Sequence, residues 1–218
     1  MQSARGCFIS LEGLDGAGKS THVQWIVDAI KGYGLEVVST REPGGTELGE
    51  QLRQMVLTQP MHLKTETLLM FAARCEHLET VIKPALAAGH WVVCDRFTDA
   101  SYAYQGGGRE LGSSSIETLE RWVHPDLQPD RTWLFDVPLA VARERLARSR
   151  DLDRFEQEED AFFERTRQAY HARAQQAPQR LRIVDSTRPI AQVRDHLALE
   201  VSKLVQSWQA GGPDGGMS

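Results

Sequence analysis

GLDGAGKS, residues 13–20, is the stretch on which the fold turns. Glycines at 13, 16 and 18 free the backbone, and Lys19 and Ser20 close the segment with a cation and a hydroxyl. The run CFISLE (7–12) comes directly before it. That run is short and apolar and stops at Gly13, which marks a buried strand. After the loop, Val23, Ile26, Val27 and Ile30 share one face of a helix over 20–33, ended by Gly32 and Gly34. Gly13, Gly18, Lys19 and Ser20 satisfy GxxxxGK[ST] in the strand–turn–helix context that the pattern needs. Amides of such a loop point inward, and the helix start adds unpaired N–H groups and a favourable dipole. The segment therefore wraps a polyphosphate.

Outward from the loop, strands alternate with helices. Strands are predicted over 35–40, 90–95, 131–137 and 181–185, in addition to 7–12. REPGGTELG (41–49) is a loop followed by a helix to about residue 57. Helical spacing of Leu68, Phe71, Ala72, Cys75, Leu78 and Ile82 predicts a helix over 65–88, which Pro84 should kink or restart. The glycine-rich segment 104–115 is expected to be a connector leading into a helix over 116–123. Further helices are predicted over 138–149, onward through 174, and over 190–209. The expectation is an α/β P-loop NTPase of three layers, with a central five-stranded parallel sheet flanked by helices. Residues 1–209 form one domain, with a lid segment at about 146–158; residues 210–218 are expected to be a disordered tail.

Composition excludes several alternatives. With 218 residues, 41% apolar and 25% charged, the chain can bury a substantial core. Its net charge of −5 lacks the basic surplus of a duplex-binding surface, so no nucleic-acid partner is expected. No apolar run approaches the about 20 residues of a membrane span. The start, MQSARGCFISLEG, is too weak for a secretory signal. Cys7, Cys75 and Cys94 form no CxxC pair, which fits a reducing compartment, and Cys7 and Cys94 read as small core residues. A cytoplasmic location with no membrane contact follows as the expectation.

The loop fits ATP-binding through Gly13, Leu14, Asp15, Gly16, Ala17, Gly18, Lys19, Ser20 and Thr21. Lys19 can reach the outer phosphates, and Ser20 can ligate Mg²⁺. A regulatory GTPase would need NKxD to read guanine, and no lysine here is followed two residues later by Asp. A kinase of small molecules needs donor and acceptor phosphate sites and several arginines between them. Arg41 and Arg96 sit at predicted strand ends, where ligands of open α/β sheets bind. Arg148, Arg150 and Arg154 form a further group.

The segments EGLDGAGKST (12–21), TREPGGT (40–46), LLMFAAR (68–74), CDRFTDASYAYQGGGR (94–109) and LDRFEQE (152–158) carry a resemblance to the thymidylate kinases. That family phosphorylates dTMP to dTDP with ATP and Mg²⁺. The resemblance covers the chain to about Gln209, and its DRF…AYQGGGR part is the more specific. It implies that Asp95 helps Ser20 hold the metal and that Arg96 contacts the acceptor phosphate. It implies that Asp15 accepts the sugar 3′-hydroxyl. Glu42, Pro43 and Arg53 border the acceptor site, with Arg53 on the dTMP phosphate.

The same resemblance assigns Phe71 to stacking on thymine and Arg74 to its 4-oxo group, with Ser101, Tyr104 and Gln105 completing the pocket. Gln105 pairs with the remaining base edge, and Tyr104 crowds the sugar 2′ position. The family's aromatic often lies four residues before the arginine. Met70 holds that place here, so whether Phe71 or another side chain stacks stays open. Gly16 occupies the P-loop position at which some members carry an arginine. The chain thus resembles the lid-arginine type, with Arg148, Arg150 or Arg154 reaching the transferred phosphate. Glu12 is either a partner behind the residues that serve metal or base chemistry, or simply a strand-end polar residue. Triple glycine 106–108 lets the chain fold closely over a ligand, and no histidine is given a role. A homodimer is implied by the family. The competing readings are another deoxynucleoside or nucleoside monophosphate kinase, and a nucleotide-binding regulator without transfer activity.

Overall fold

The computed structural model describes residues 5–147 and 153–211. A five-stranded sheet runs in the order β2-β3-β1-β4-β5, and every neighbouring pair is parallel. The strands are β1 (Phe8–Glu12), β2 (Val37–Arg41), β3 (Trp91–Asp95), β4 (Arg131–Asp136) and β5 (Leu181–Asp185). In chain order the α-helices are α1 (Lys19–Lys31), α2 (Glu47–Thr58), α3 (Leu63–His77), α4 (Lys83–Ala87), α5 (Thr98–Ser101), α6 (Ser113–Val123), α7 (Leu139–Leu146), α8 (Asp160–Gln176) and α9 (Ile190–Gln209).

Both faces of β1 are buried, as a sheet covered on two sides requires. Ile9 and Leu11 join Trp91, Val93, Trp133 and Phe135 in one core, with Ile26 of α1 and Leu197 of α9 packed in the same cluster. Phe8, Val92 and Cys94 belong to a second core, with Leu78, Ile82 and Leu86. Cys7 and Cys94 are buried, as core residues should be. On the polar row of β1, the Ser10 and Thr132 hydroxyls meet at 2.7 Å. The connections after β1 and β3 leave in opposite directions along the sheet, and the crevice between those strand ends is where such folds bind ligands. Register sets Leu11 opposite Asp95 there.

The helix predicted over 65–88 is continuous but changes pitch. A π-helical turn, Leu78–Ile82, joins α3 to α4. Pro84 cannot donate a backbone hydrogen bond, and the widened turn lets the Lys83 N–H close on the Leu78 carbonyl just before it.

The glycine-rich segment departs from the expected connector. Tyr102–Gly108 is a π-helical turn, and only from Arg109 does the chain run on toward α6. Two of its glycines, Gly107 and Gly108, make room for α8. A Cβ on Gly107 would lie 2.5 Å from the Ala169 Cβ, and one on Gly108 would lie 2.3 Å from the Thr166 hydroxyl. Arg165 of α8 fastens the contact through the Gly108 carbonyl at 2.8 Å.

Candidate active site

The loop between β1 and α1 delivers Lys19 at the first helical position, capped by Gly18 in the left-handed region (φ 91°). Lys19 is buried. Its Nζ donates to the Gly13 carbonyl at 3.0 Å and the Leu14 carbonyl at 3.3 Å. Burial, and then the nearby Arg96, push the ammonium below its ordinary pKa. Over this loop lies a cleft of about 520 Å³, lined in part by Gly18, Ser20, Thr21, Arg41 and Asp95. A narrower cavity adjoins it, lined in part by Pro43, Met70, Tyr104 and Gln105. Asp15, Glu42, Arg53 and Arg96 line both.

Arg96 is the hub of that shared wall. Its φ of 71° is a sparsely populated conformation for a side-chain-bearing residue, of the kind that clusters at functional sites. One guanidinium nitrogen donates to the Gly13 carbonyl at 3.0 Å and to the Tyr170 hydroxyl at 3.1 Å. The other donates to Asp15 at 2.6 Å and to the Tyr104 hydroxyl at 3.0 Å. Tyr104 in turn donates to the second Asp15 oxygen at 2.7 Å. Burial would raise the Asp15 pKa. Arg96 and Lys19 outweigh it and hold the carboxyl down at about 2.

Glu12 lies behind this wall, fully buried. It accepts from the Phe97 N–H at 2.7 Å and the Tyr170 hydroxyl at 2.8 Å. Burial, reinforced by Asp99, raises its pKa to about 8. The geometry gives it a role other than the two expected, a buried support for Arg96: it accepts from the residue after Arg96 and from a hydroxyl that Arg96 contacts. Asp95 ends β3 at the mouth of the wide cleft, and its buried Oδ1 has no hydrogen-bond partner among the described residues. Together with the exposed Ser20 hydroxyl beside the loop, it makes a donor pair that suits a hard divalent cation keeping most of its waters.

The acceptor loop is braced from beneath. Glu42, next to Pro43 across a cis peptide, is buried and paired with Arg74 at 2.7 Å and His77 at 3.0 Å. Burial works against that carboxylate, but Arg74 and His77 hold its pKa below the ordinary range. The other His77 ring nitrogen meets the Thr40 hydroxyl at 2.6 Å, and Arg74 reaches the Ser101 hydroxyl at 3.2 Å. Arg53 donates to the Pro43 carbonyl at 3.0 Å.

The structure brings most of the sequence-derived candidates together and sets others apart. Phe71 is buried with Tyr102 and Ile116 in a separate cluster, beneath the Arg74 guanidinium, so its ring lies away from the cavity. One residue earlier on α3, Met70 lines the cavity, because a step of about 100° along a helix moves a side chain to another face. Arg74 is sandwiched between the Phe71 and Phe97 rings, with Glu42 and Ser101 as its polar partners. Arg154 turns away from the wide cleft, donating to the Val56 carbonyl at 3.0 Å and to Glu66. Arg148 and Arg150 lie outside the described residues.

Sequence reasoning missed Arg145, which lines the cleft beside Gly18 and donates to the Ser186 carbonyl at 3.0 Å. It also missed Phe155, Asp153 and Leu57 in the narrow cavity, and the bracing His77. Arg145 closes an arginine-rich helix and was visible as such. Nothing local marked His77, whose partner Glu42 is 35 residues away.

Two anion-ready cavities that share a fixed arginine on a P-loop sheet define a phosphotransferase acting between two nucleotides. The family model for thymidylate kinase matches residues 11–197. The thymidylate kinase of Bordetella pertussis is 70% identical over 201 residues, spanning 92% of this chain and 97% of its own. That of Methylobacillus flagellatus is 61% identical over 206 residues, spanning 94% of this chain and 100% of its own. A crystal structure of thymidylate kinase from Ehrlichia chaffeensis superposes with a TM-score of 0.73 at 32% identity, over 93% of this chain and 99% of that one. The chain belongs to the thymidylate kinase family.

Proposed function

We propose that the protein, acting as one domain over 1–209, phosphorylates dTMP to dTDP with ATP as donor and Mg²⁺ as cofactor. The observation that carries the assignment is the position of Arg96, bonded on two sides, on the wall common to both cavities. Where two anionic phosphate groups meet, a cation already fixed in place stabilises the charge in transfer without reorganising.

The remaining roles combine the family resemblance with the positions of the described residues. Lys19 exchanges its loop carbonyls for donor phosphate oxygens. Ser20 and Asp95 would hold Mg²⁺, which would supply positive charge to offset that of the phosphates. Arg53, steadied by the Pro43 carbonyl, holds the acceptor phosphate at the shared wall. Asp15 keeps spare lone pairs for the sugar 3′-hydroxyl, and the Tyr104 ring crowds the 2′ position. Met70 takes the stacking place against the base with a polarizable thioether. Gln105 reads the base edge. Arg74 and Ser101 support the pocket through Glu42. Arg145, on the wall of the wide cleft, faces the donor side, and the family resemblance adds Arg148 and Arg150 as cations for the transferred phosphate. The acceptor oxygen is already anionic near neutral pH, so no general base is required.

The family resemblance implies a homodimer, and exposed Leu68 and Trp122 on the adjoining helices α3 and α6 support an interface there. A cytoplasmic location accords with the family and with the three unpaired cysteines.

Coupled ADP release with dTMP, dUMP, UMP, dCMP and thymidine tests the assignment. Turnover should be highest with dTMP, and Lys19→Ala should lower it at least about 100-fold with the fold intact. Equal turnover of UMP and dTMP, or near-normal activity of Lys19→Ala, would refute it.

A further inference from the structure

Gln105 is fully buried and points its two ends at different neighbours. Its Nε2 donates to Glu66 Oε1 at 2.9 Å. Its Oε1 has no hydrogen-bond partner among the described residues, and the side chain lines the narrow cavity. A glutamine amide is nearly symmetric in shape, so packing alone leaves either end free to face the cavity. Glu66 breaks that symmetry. It is completely buried, and its other neighbours are Arg109 at 3.4 Å and Arg154 at 2.5 Å, both donors. A carboxylate between two guanidiniums only accepts, so the amide must turn its NH₂ toward Glu66 and its carbonyl toward the cavity.

We infer that Glu66 is the specificity-determining positioning residue of the base pocket. It fixes Gln105 as an acceptor and so selects bases whose ring N3 carries a hydrogen. The inference rests on the assignment of the narrow cavity to the dTMP base. Thymine and uracil present N3–H and pair with that oxygen. Cytosine presents a lone pair at N3 and leaves two acceptors facing each other in a desolvated site. A site built around one hydrogen-bonding direction rejects the wrong partner strongly, because its own buried group is then left unpaired. Glu66 never touches the nucleotide; it acts through Gln105. The same carboxylate also accepts from Arg154.

The test compares dTMP with 5-methyl-2′-deoxycytidine monophosphate, which keeps the methyl group and changes only the pairing edge. In Glu66→Gln the neighbour can donate as well as accept, and both Gln105 orientations become available. The ratio of kcat/KM for the two substrates should narrow by about tenfold or more. Glu66→Asp, which retains an acceptor, should keep the ratio within about threefold even where kcat falls. A folded Glu66→Gln enzyme with the parent's ratio, within about twofold, overturns the inference. Gln105→Leu separates the two levels: a dTMP KM unchanged by that substitution removes the base-pocket assignment itself. If Glu66→Gln fails to fold, NMR of the unsubstituted enzyme decides. The Gln105 side-chain amide protons should keep their cross-peaks to Glu66 with dTMP bound; losing them for cross-peaks to the base overturns the inference.

Discussion

The Arg96 guanidinium lies 2.6 Å from the Asp15 carboxylate, on the boundary between the two cavities. The pair joins the end of β3 to the phosphate loop, and neither member is more than about a quarter exposed: 15% for the Arg96 side chain and 27% for Asp15. Asp15 thus keeps its charge where phosphate is expected, because Arg96 and Lys19 offset the burial that opposes it.

Asp15→Asn keeps the shape and removes the charge that holds Arg96. Misplacement of a transfer-site cation by a fraction of an ångström to an ångström is expected to lower kcat by about 100-fold. The ATP KM should change little, since Lys19 and the loop amides are untouched. Steady-state kinetics by coupled ADP release checks this, and an unchanged kcat would show that Arg96 is held without Asp15.

Glu12 imposes a pH dependence on stability. Its carboxyl binds a proton more tightly folded, at about 8, than at its ordinary 4.5. Between those values the folded state holds more protons than the unfolded state, so this group's contribution to stability falls as pH rises. Buried His22 and His124, whose pKa values burial lowers, act in the opposite direction below neutrality. The difference between parent and Glu12→Gln cancels them. The parent's Tm should decline relative to Glu12→Gln from pH 5 to pH 8; parallel Tm curves would contradict the raised pKa.

Gly108→Ala drives a methyl group into the Thr166 hydroxyl and the Phe162 ring, both under 3 Å from the added carbon. Overpacking of this kind costs about 1–3 kcal/mol. Urea unfolding should show a lowered midpoint with an unchanged slope. A variant as stable as the parent would mean that α8 can retreat from the glycines.

His77→Leu removes the bridge between Thr40 and Glu42 while preserving bulk. Leaving the buried carboxylate short of one partner costs about 1–3 kcal/mol of stability. The acceptor loop loses its brace, so the dTMP KM should rise while the ATP KM stays near the parent's. An unaltered dTMP KM would separate this buried network from the acceptor site.

Trp122 is 79% exposed on α6, and Leu68 is 53% exposed on the adjoining α3. Trp122→Glu is expected to convert a dimer to a monomer in light scattering. A parent protein that is monomeric at micromolar concentration would remove the dimer proposal.

Much of the fold was legible because it is written locally. The loop 13–20 needed only its glycines, its lysine and the apolar runs beside it, and the strand segments announced themselves as short hydrophobic stretches. Placement of side chains across the sheet was not legible. Phe71 and Met70 are neighbours in sequence, yet only the rotation of α3 against the cavity decides which of them a base would meet. Glycines 106–108 read as freedom for a loop, and two of them, Gly107 and Gly108, proved to be room for α8.

By itself the sequence determined the phosphate-wrapping loop, the alternation of strands and helices, and the cations at strand ends, because backbone conformation and polyphosphate chemistry depend on residues a few positions apart. Tertiary structure alone decided that Glu12 would meet Tyr170 across 158 residues and that Gln105 would meet Glu66 across 39. Those pairs set which way a guanidinium or an amide faces. Such directions come from burial beside a particular partner, and no local pattern records which partner folding will bring.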